Sequence, residues 1–203
     1  MNKISTAIQL FQNMGSRYVA FRVLFELKKK SGLLKSEFPV NPPTKKFISL
    51  ANWRTSSIPY FFDSKESLQI KKLPNDTLQK AFEKIENGYI RFFNADWILV
   101  GKDYDWITNP DSKFTYDVTK HWVEIPDFTT TQGDIKYVWE KSRFNYLLTV
   151  IRHDYHFSKN HDAFVLNEIE SWIDKNPINC GPNYRCSQEI SLRILNWTFA
   201  LNY

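Results

Sequence analysis

Two cysteines, Cys180 and Cys186, are too few to staple a 203-residue chain into a disulfide scaffold. Without a second pair they also make a poor zinc motif, so they read as free thiols in a reducing compartment or as one incidental bridge. No stretch approaches the roughly 18 to 20 continuous apolar residues that a membrane span requires. The opening MNKISTAIQLFQNMGSRYVAF is a poor signal peptide, because Gln9, Gln12, Asn13 and Arg17 interrupt its apolar run and no clean small-residue cleavage site follows. These absences point to the cytoplasm. A glycine-rich phosphate loop, a nucleophile elbow and an HExxH helix are all missing, which removes the footing for nucleotide and common hydrolase readings. No cofactor and no metal site are expected. His153 and His156 stand at i, i+3 within HDYHFSKNHD, but a helix end there would turn His161 elsewhere, and the preference of histidine for a helix terminus accounts for the cluster.

What is present is globular. Hydrophobic residues make up 42% of the chain and charged residues 24%, a balance that excludes disorder, and the length suits one domain or one and a half. Aromatic residues reach 16%; most belong to a core, but Trp and Tyr also offer sugars an apolar face with a polar edge. A net charge of +5 favours anionic partners, and by charge alone nucleic acid, acidic polysaccharide and anionic lipid stay open. The lysine runs Lys28 to Lys30, Lys45–Lys46 and Lys71–Lys72 are short and scattered, as solvated faces are.

Residues 3–30 have helical spacing, broken at Gly15 and ended by Gly32. Their stripe of Ile4, Ile8, Phe11, Tyr18, Phe21, Leu24 and Phe25 is expected to pack on the rest of the protein, with docking on anionic lipid as the rival. Residues 36–75 are punctuated by Pro39, Pro42, Pro43, Pro59 and Pro74 and read as an extended arm crossing the surface of the body. A short helix over 74–88, one or two strands within 88–106 and a turn-rich loop over 109–128 follow. Segments 134–157, 161–176 and 187–203 each carry helical periodicity, and three such helices in succession suggest a bundle or toroid. The last lacks a stopping signal, and its face of Ile190, Ile194, Trp197 and Leu201 is expected to find too few partners here. The expectation is therefore the front part of a larger helical protein: mainly α, an incomplete (α/α) toroid over 88–203, preceded over 1–87 by a helix and an irregular arm, with minor β content.

Chemistry-bearing groups concentrate in the helical half. Lys136, Glu140 and Arg143 lie at i, i+4 and i+7, so Glu140 can pair with either cation, and Glu189 and Arg193 repeat the i, i+4 spacing. As surface pairs they are worth only about a few tenths of a kcal/mol. Their setting among Tyr137, Val138, Trp139, Ile190, Ile194 and Trp197 argues instead for half-buried, oriented pairs. The loop NPINCGPNYR adds Asn183, Tyr184 and Arg185, whose amide, hydroxyl and guanidinium groups suit the hydroxyls and carboxylates of a sugar chain. The plainer alternative is a loop whose asparagines bond their own backbone.

In order and spacing, GYIRFF…DW…NP, HW, GDIKYVWEKSRF and SWIDKNPINCGPNYRCSQEISLRILNW resemble the N-terminal region of the heparinase II/III-like family of polysaccharide lyases. GSRYVAFRVLFELKKKSGLLKSEFP is similar to the start of members associated with surface-polysaccharide gene clusters. The resemblance implies an (α/α) toroid whose cleft takes an acidic polysaccharide, with no nucleic-acid partner, followed by a β-sandwich. The reaction implied is β-elimination at a uronic acid. The family's neutralising Asn and its acid–base Tyr and His come later than the matched part, so no catalytic residue is carried over. Glu140, Arg143, Asn183, Glu189 and Arg193 match the motif and are implied to shape and buttress the cleft; Tyr184 stands where the family usually has Trp. A non-catalytic carbohydrate-binding or assembly protein is the alternative, and the resemblance admits the periplasm as well as the cytoplasm.

Overall fold

The computed structural model describes residues 3–43, 48–56, 61 and 67–203; Lys45, Lys46, Pro59 and the side chains of Ile4 and Ile8 lie outside that description. The chain divides into two compact units, 1–42 and 43–203. In the first, helix α1 (Lys3–Lys30) is interrupted at Gly15, whose φ of 79° and ψ of 162° are non-helical, as the sequence predicts. Gly32 adopts the left-handed conformation that lets the chain turn out of α1 into α2 (Leu33–Glu37). Lys28 pairs with Glu37 across that turn at 2.5 Å. Among the described residues of the expected apolar stripe, Phe11, Tyr18, Phe21 and Leu24 are exposed and Phe25 is half-buried.

In the second unit, α3 (Leu50–Thr55) interrupts the segment expected to be irregular. Past it, residues 68–73 run without regular structure along the outside of a later helix, held by Tyr155, His156 and Ser158. Helix α4 (Asp76–Glu86) starts at Asn75, whose side chain accepts from the Leu78 amide, and buries Leu78, Phe82 and Ile85. Because α4 packs on β1 and on α6, the unit boundary falls well before residue 87, where the sequence reading places it.

Strands β1 (Tyr89–Phe92) and β2 (Asp96–Leu99) form an antiparallel hairpin in which Ile90 faces Ile98 and Phe92 faces Asp96. Its turn carries Phe93 and Asn94 at φ of 49° and 61°, the geometry that matches strand twist. The open end is closed by Gly88, whose carbonyl accepts from the Val100 and Gly101 amides. A turn-rich loop leads through a 3-10 turn (Trp122–Glu124) to a small hairpin of β3 (Phe128–Thr129) and β4 (Gly133–Asp134).

The predicted helix over 134–157 is two helices, α5 (Lys136–Ser142) and α6 (Tyr146–Phe157). They are separated by Phe144 at a φ of 61°. The break follows from packing: Phe144 is fully buried between Trp106, Tyr146 and Trp197, a position that a continuous helix would not deliver. Helices α7 (Asp162–Lys175) and α8 (Ser187–Asn202) match the predicted segments, and α8 packs on α6 and α7.

The main core joins Phe82 and Ile85 of α4, Ile90 and Phe92 of β1, Trp106, Phe144, and Leu147, Val150, Val165, Ile169 and Trp172 of α6 and α7. Each such side chain contributes about 1.5–3 kcal/mol by leaving water. The described residues are mainly helical, with only short strands, and no helix among them is long and apolar enough to cross a membrane.

Candidate functional site

The motif residues converge, but in the interior. Arg143 donates from Nε and Nη2 to the two oxygens of Glu189, at 2.6 and 2.9 Å, and from Nη1 to Glu140. A bidentate guanidinium–carboxylate pair of this kind is directional as well as strong. Glu140 also accepts the Phe93 amide at 3.2 Å, which ties the network to the hairpin turn. Burial holds the Glu140 carboxyl above the usual carboxylate range against the opposing pull of Arg143, while the hydrogen bond to Glu189 raises Arg143.

Arg193, only 2% exposed, donates to the carbonyls of Ser142 and Asn183 and lies 4.0 Å over the Trp172 ring. Burial lowers its pKa to about 10, so it stays charged at neutral pH. Asn196 donates to the Arg143 carbonyl and to Asn145. The break after α5 leaves its last carbonyls without helical partners, and Arg193 and Asn196 reach over from α8 to take them. Polar side chains therefore face inward on α8, while Ile194 and Leu201 of the expected apolar face are exposed and Trp197 packs into the core.

Several predicted pairings are replaced. Lys136 pairs with Asp134 at 3.6 Å on the surface and not with Glu140; Glu189 engages Arg143 of another helix in place of its i+4 neighbour Arg193. Asn183 is wholly buried and bonds the Trp106 carbonyl and Asn176; Tyr184 packs against Trp172. Arg185 straps the Ile125 carbonyl and Asp127. Of the eight residues read from sequence as substrate-binding, Glu140 alone borders the main cleft, and Arg143, itself held by Glu189, braces it from the interior.

That cleft has a volume of about 610 Å³ and lies between α4, the β1–β2 hairpin and α6. Arg91 and Asn94 of the hairpin, Trp97, Asn145, Arg152 and Glu140 supply its functional groups. Arg91 and Arg152 are both exposed, and Arg152 has no carboxylate partner among the described residues. Lys84 sits 5.1 Å from the Trp97 ring centroid. Sequence reasoning passed over these positions, although the GYIRFFNADW stretch that forms one wall carries a basic residue, an amide and aromatics at hairpin spacing. Tyr146, at the cleft floor, donates to Glu168, and burial pushes its hydroxyl far above the ordinary range, which rules it out as a base near neutrality. Lys141, buried beside Glu168 and over the Trp106 ring, has its pKa lowered by burial and is a further interior charge that its sequence position did not reveal.

The histidine cluster also differs from expectation. His156 accepts the Leu73 amide, and it is His161 that turns back to within 3.3 Å of His153. Comparison of the chain with protein-family models, with curated proteins and with solved structures finds no match.

Proposed function

We propose that the cleft between α4, the β1–β2 hairpin and α6 binds a segment of acidic polysaccharide. The observation that carries this reading is the pairing of two exposed guanidinium groups, Arg91 and Arg152, with the amides of Asn94 and Asn145 and the ring of Trp97 around one open cleft. Guanidinium groups recognise uronate carboxylates in a planar fork, amides take sugar hydroxyls, and an indole ring stacks on the apolar face of a pyranose. Neither candidate base of the cleft is free for C5 proton removal: the Tyr146 hydroxyl is committed to Glu168, and the Glu140 oxygens to Arg143 and the Phe93 amide. The contribution assigned to this chain is therefore binding and positioning.

The heparinase II/III-like resemblance extends the proposal. On that reading α5 to α8 are wall helices of an (α/α) toroid, the Glu140–Arg143–Glu189 network holds the wall, and the bound polymer is the substrate of β-elimination. The Glu140–Arg143–Glu189 network, which begins at the cleft edge, and the bond of Arg193 to the Asn183 carbonyl support it. The alternative, a carbohydrate-binding protein without elimination chemistry, is favoured by the engagement of both Tyr146 and Glu140 in hydrogen bonds within the protein.

Calorimetric titration with oligouronates tests binding. Arg91→Ala and Arg152→Ala should each weaken uronate binding by roughly tenfold, in line with about 1.5 kcal/mol for a hydrogen bond to a charged group, while leaving thermal unfolding unchanged. Equal affinity for neutral oligosaccharides of the same length, or unaltered binding by both variants, would refute the reading. A rise in ultraviolet absorbance from an unsaturated uronate product would separate elimination from binding alone.

A further inference from the structure

We propose that His153, Asp154 and His161 form a three-ligand site for a divalent first-row cation, with Zn²⁺ the ion its donor set suits best. The three ligand atoms lie within 4.8 Å of one another. His161 Nε2 stands 3.3 Å from His153 Nδ1 and 3.3 Å from Asp154 Oδ1. Ligand bonds of about 2.0–2.1 Å at tetrahedral angles place neighbouring donor atoms roughly 3.3 Å apart. Two imidazoles and one carboxylate, with a fourth position left for water, is a set that zinc accepts.

The hydrogen bonds around the cluster orient it for a cation. Gln79 donates its amide nitrogen to Glu83 at 2.9 Å, which turns its oxygen toward His153 Nε2, also at 2.9 Å. His153 must then carry its proton on Nε2, and its Nδ1 presents a lone pair to the cluster. The His161 backbone amide holds Asp154 through Oδ2 at 2.8 Å, leaving Oδ1 to face the same point. Oδ1 is buried and accepts no hydrogen bond among the described residues. The single Nε2 proton of a protein-only His161 has two acceptors before it, His153 Nδ1 and Asp154 Oδ1, and cannot satisfy both. A cation at the centre engages all three lone pairs at once.

The rings are also held in place. Phe82 stacks on His153 at 4.0 Å and on His161 at 4.3 Å, and Phe157 stacks on His153 at 4.6 Å. His153 and Asp154 lie toward the C-terminal end of α6 and His161 occupies the N-cap position of α7, so the ion would clamp the joint between these helices. None of the three residues lines the saccharide cleft.

The test is titration of the chelator-stripped full chain with Zn²⁺ alone, followed by calorimetry and metal analysis. The wild-type chain should take up one equivalent. Asp154→Asn and His161→Ala should each weaken uptake by at least about tenfold, Gln79→Ala by about ten- to a hundredfold, and His156→Ala should leave it unchanged. Loading the wild type with Co²⁺ should give the intense visible absorption of a tetrahedral ion, a readout that stands even if a variant fails to fold. Absence of uptake by the folded wild type, a weakly coloured octahedral Co²⁺ spectrum, or equal loss in His156→Ala and His161→Ala would overturn the assignment.

Discussion

Arg143 holds two carboxylates at once, one on its own side of the α5–α6 break and one on α8. Removing it leaves Glu140 and Glu189, both buried, facing each other without a cation. Arg143→Ala should therefore destabilise the fold by about 3 kcal/mol, the low end for a broken buried pair because the guanidinium is partly exposed, as read from urea unfolding. The spacing of Glu140 and Arg143 was legible in the sequence; the partner from α8 was not, because a helical i, i+3 or i, i+4 rule describes one helix and the bidentate bond joins two. Glu140 also sets a pH dependence at the cleft. Burial raises its pKa, so its carboxylate gains a proton over a pH window higher than that of an ordinary glutamate, and the repulsion felt by a bound uronate is relieved. Affinity for oligouronates should rise with falling pH over that window, and Glu140→Gln should flatten the profile.

At the level of elements, the hairpin wall of the cleft depends on two close approaches. Glu140 caps the turn at Phe93, and Gly88 closes the base. A Cβ on Gly88 would stand 2.6 Å from the Gly101 carbonyl carbon, at a backbone φ of 81° that side chains rarely adopt. Gly88→Ala should cost about 2 kcal/mol or more in denaturant unfolding and should weaken oligouronate binding through the displaced wall. The helices over 162–175 and 187–202 and the presence of short strands within 88–106 were readable from periodicity; that the strands pair as a hairpin was not. The division of 134–157 was not, since Phe144 is left-handed for the sake of a core position and carries no breaker residue as a sign. Nor was the inward polar face of α8, which exists to receive the carbonyls that this break exposes.

For the molecule as a whole, a net charge of +5 acts at long range and the cleft guanidinium groups act at contact. Both sit in solvent, where the Debye length is about 10 Å at 0.1 M salt. Oligouronate affinity should fall steadily with added sodium chloride, and the slope should shrink in a chain carrying both Arg91→Ala and Arg152→Ala. A slope that does not change would place the charged contact elsewhere on the surface.

Composition, breakers and periodicity determined that this chain is a mainly helical globular protein with a kinked first helix and a small β content, because those properties follow from each residue's own backbone preference and its near neighbours in sequence. The tertiary structure decided which polar groups are interior supports and which line the cleft, and which histidine faces which. Those outcomes depend on burial and on contacts between residues dozens of positions apart, such as Arg143 with Glu189 or Phe93 with Glu140, for which local spacing contains no signal.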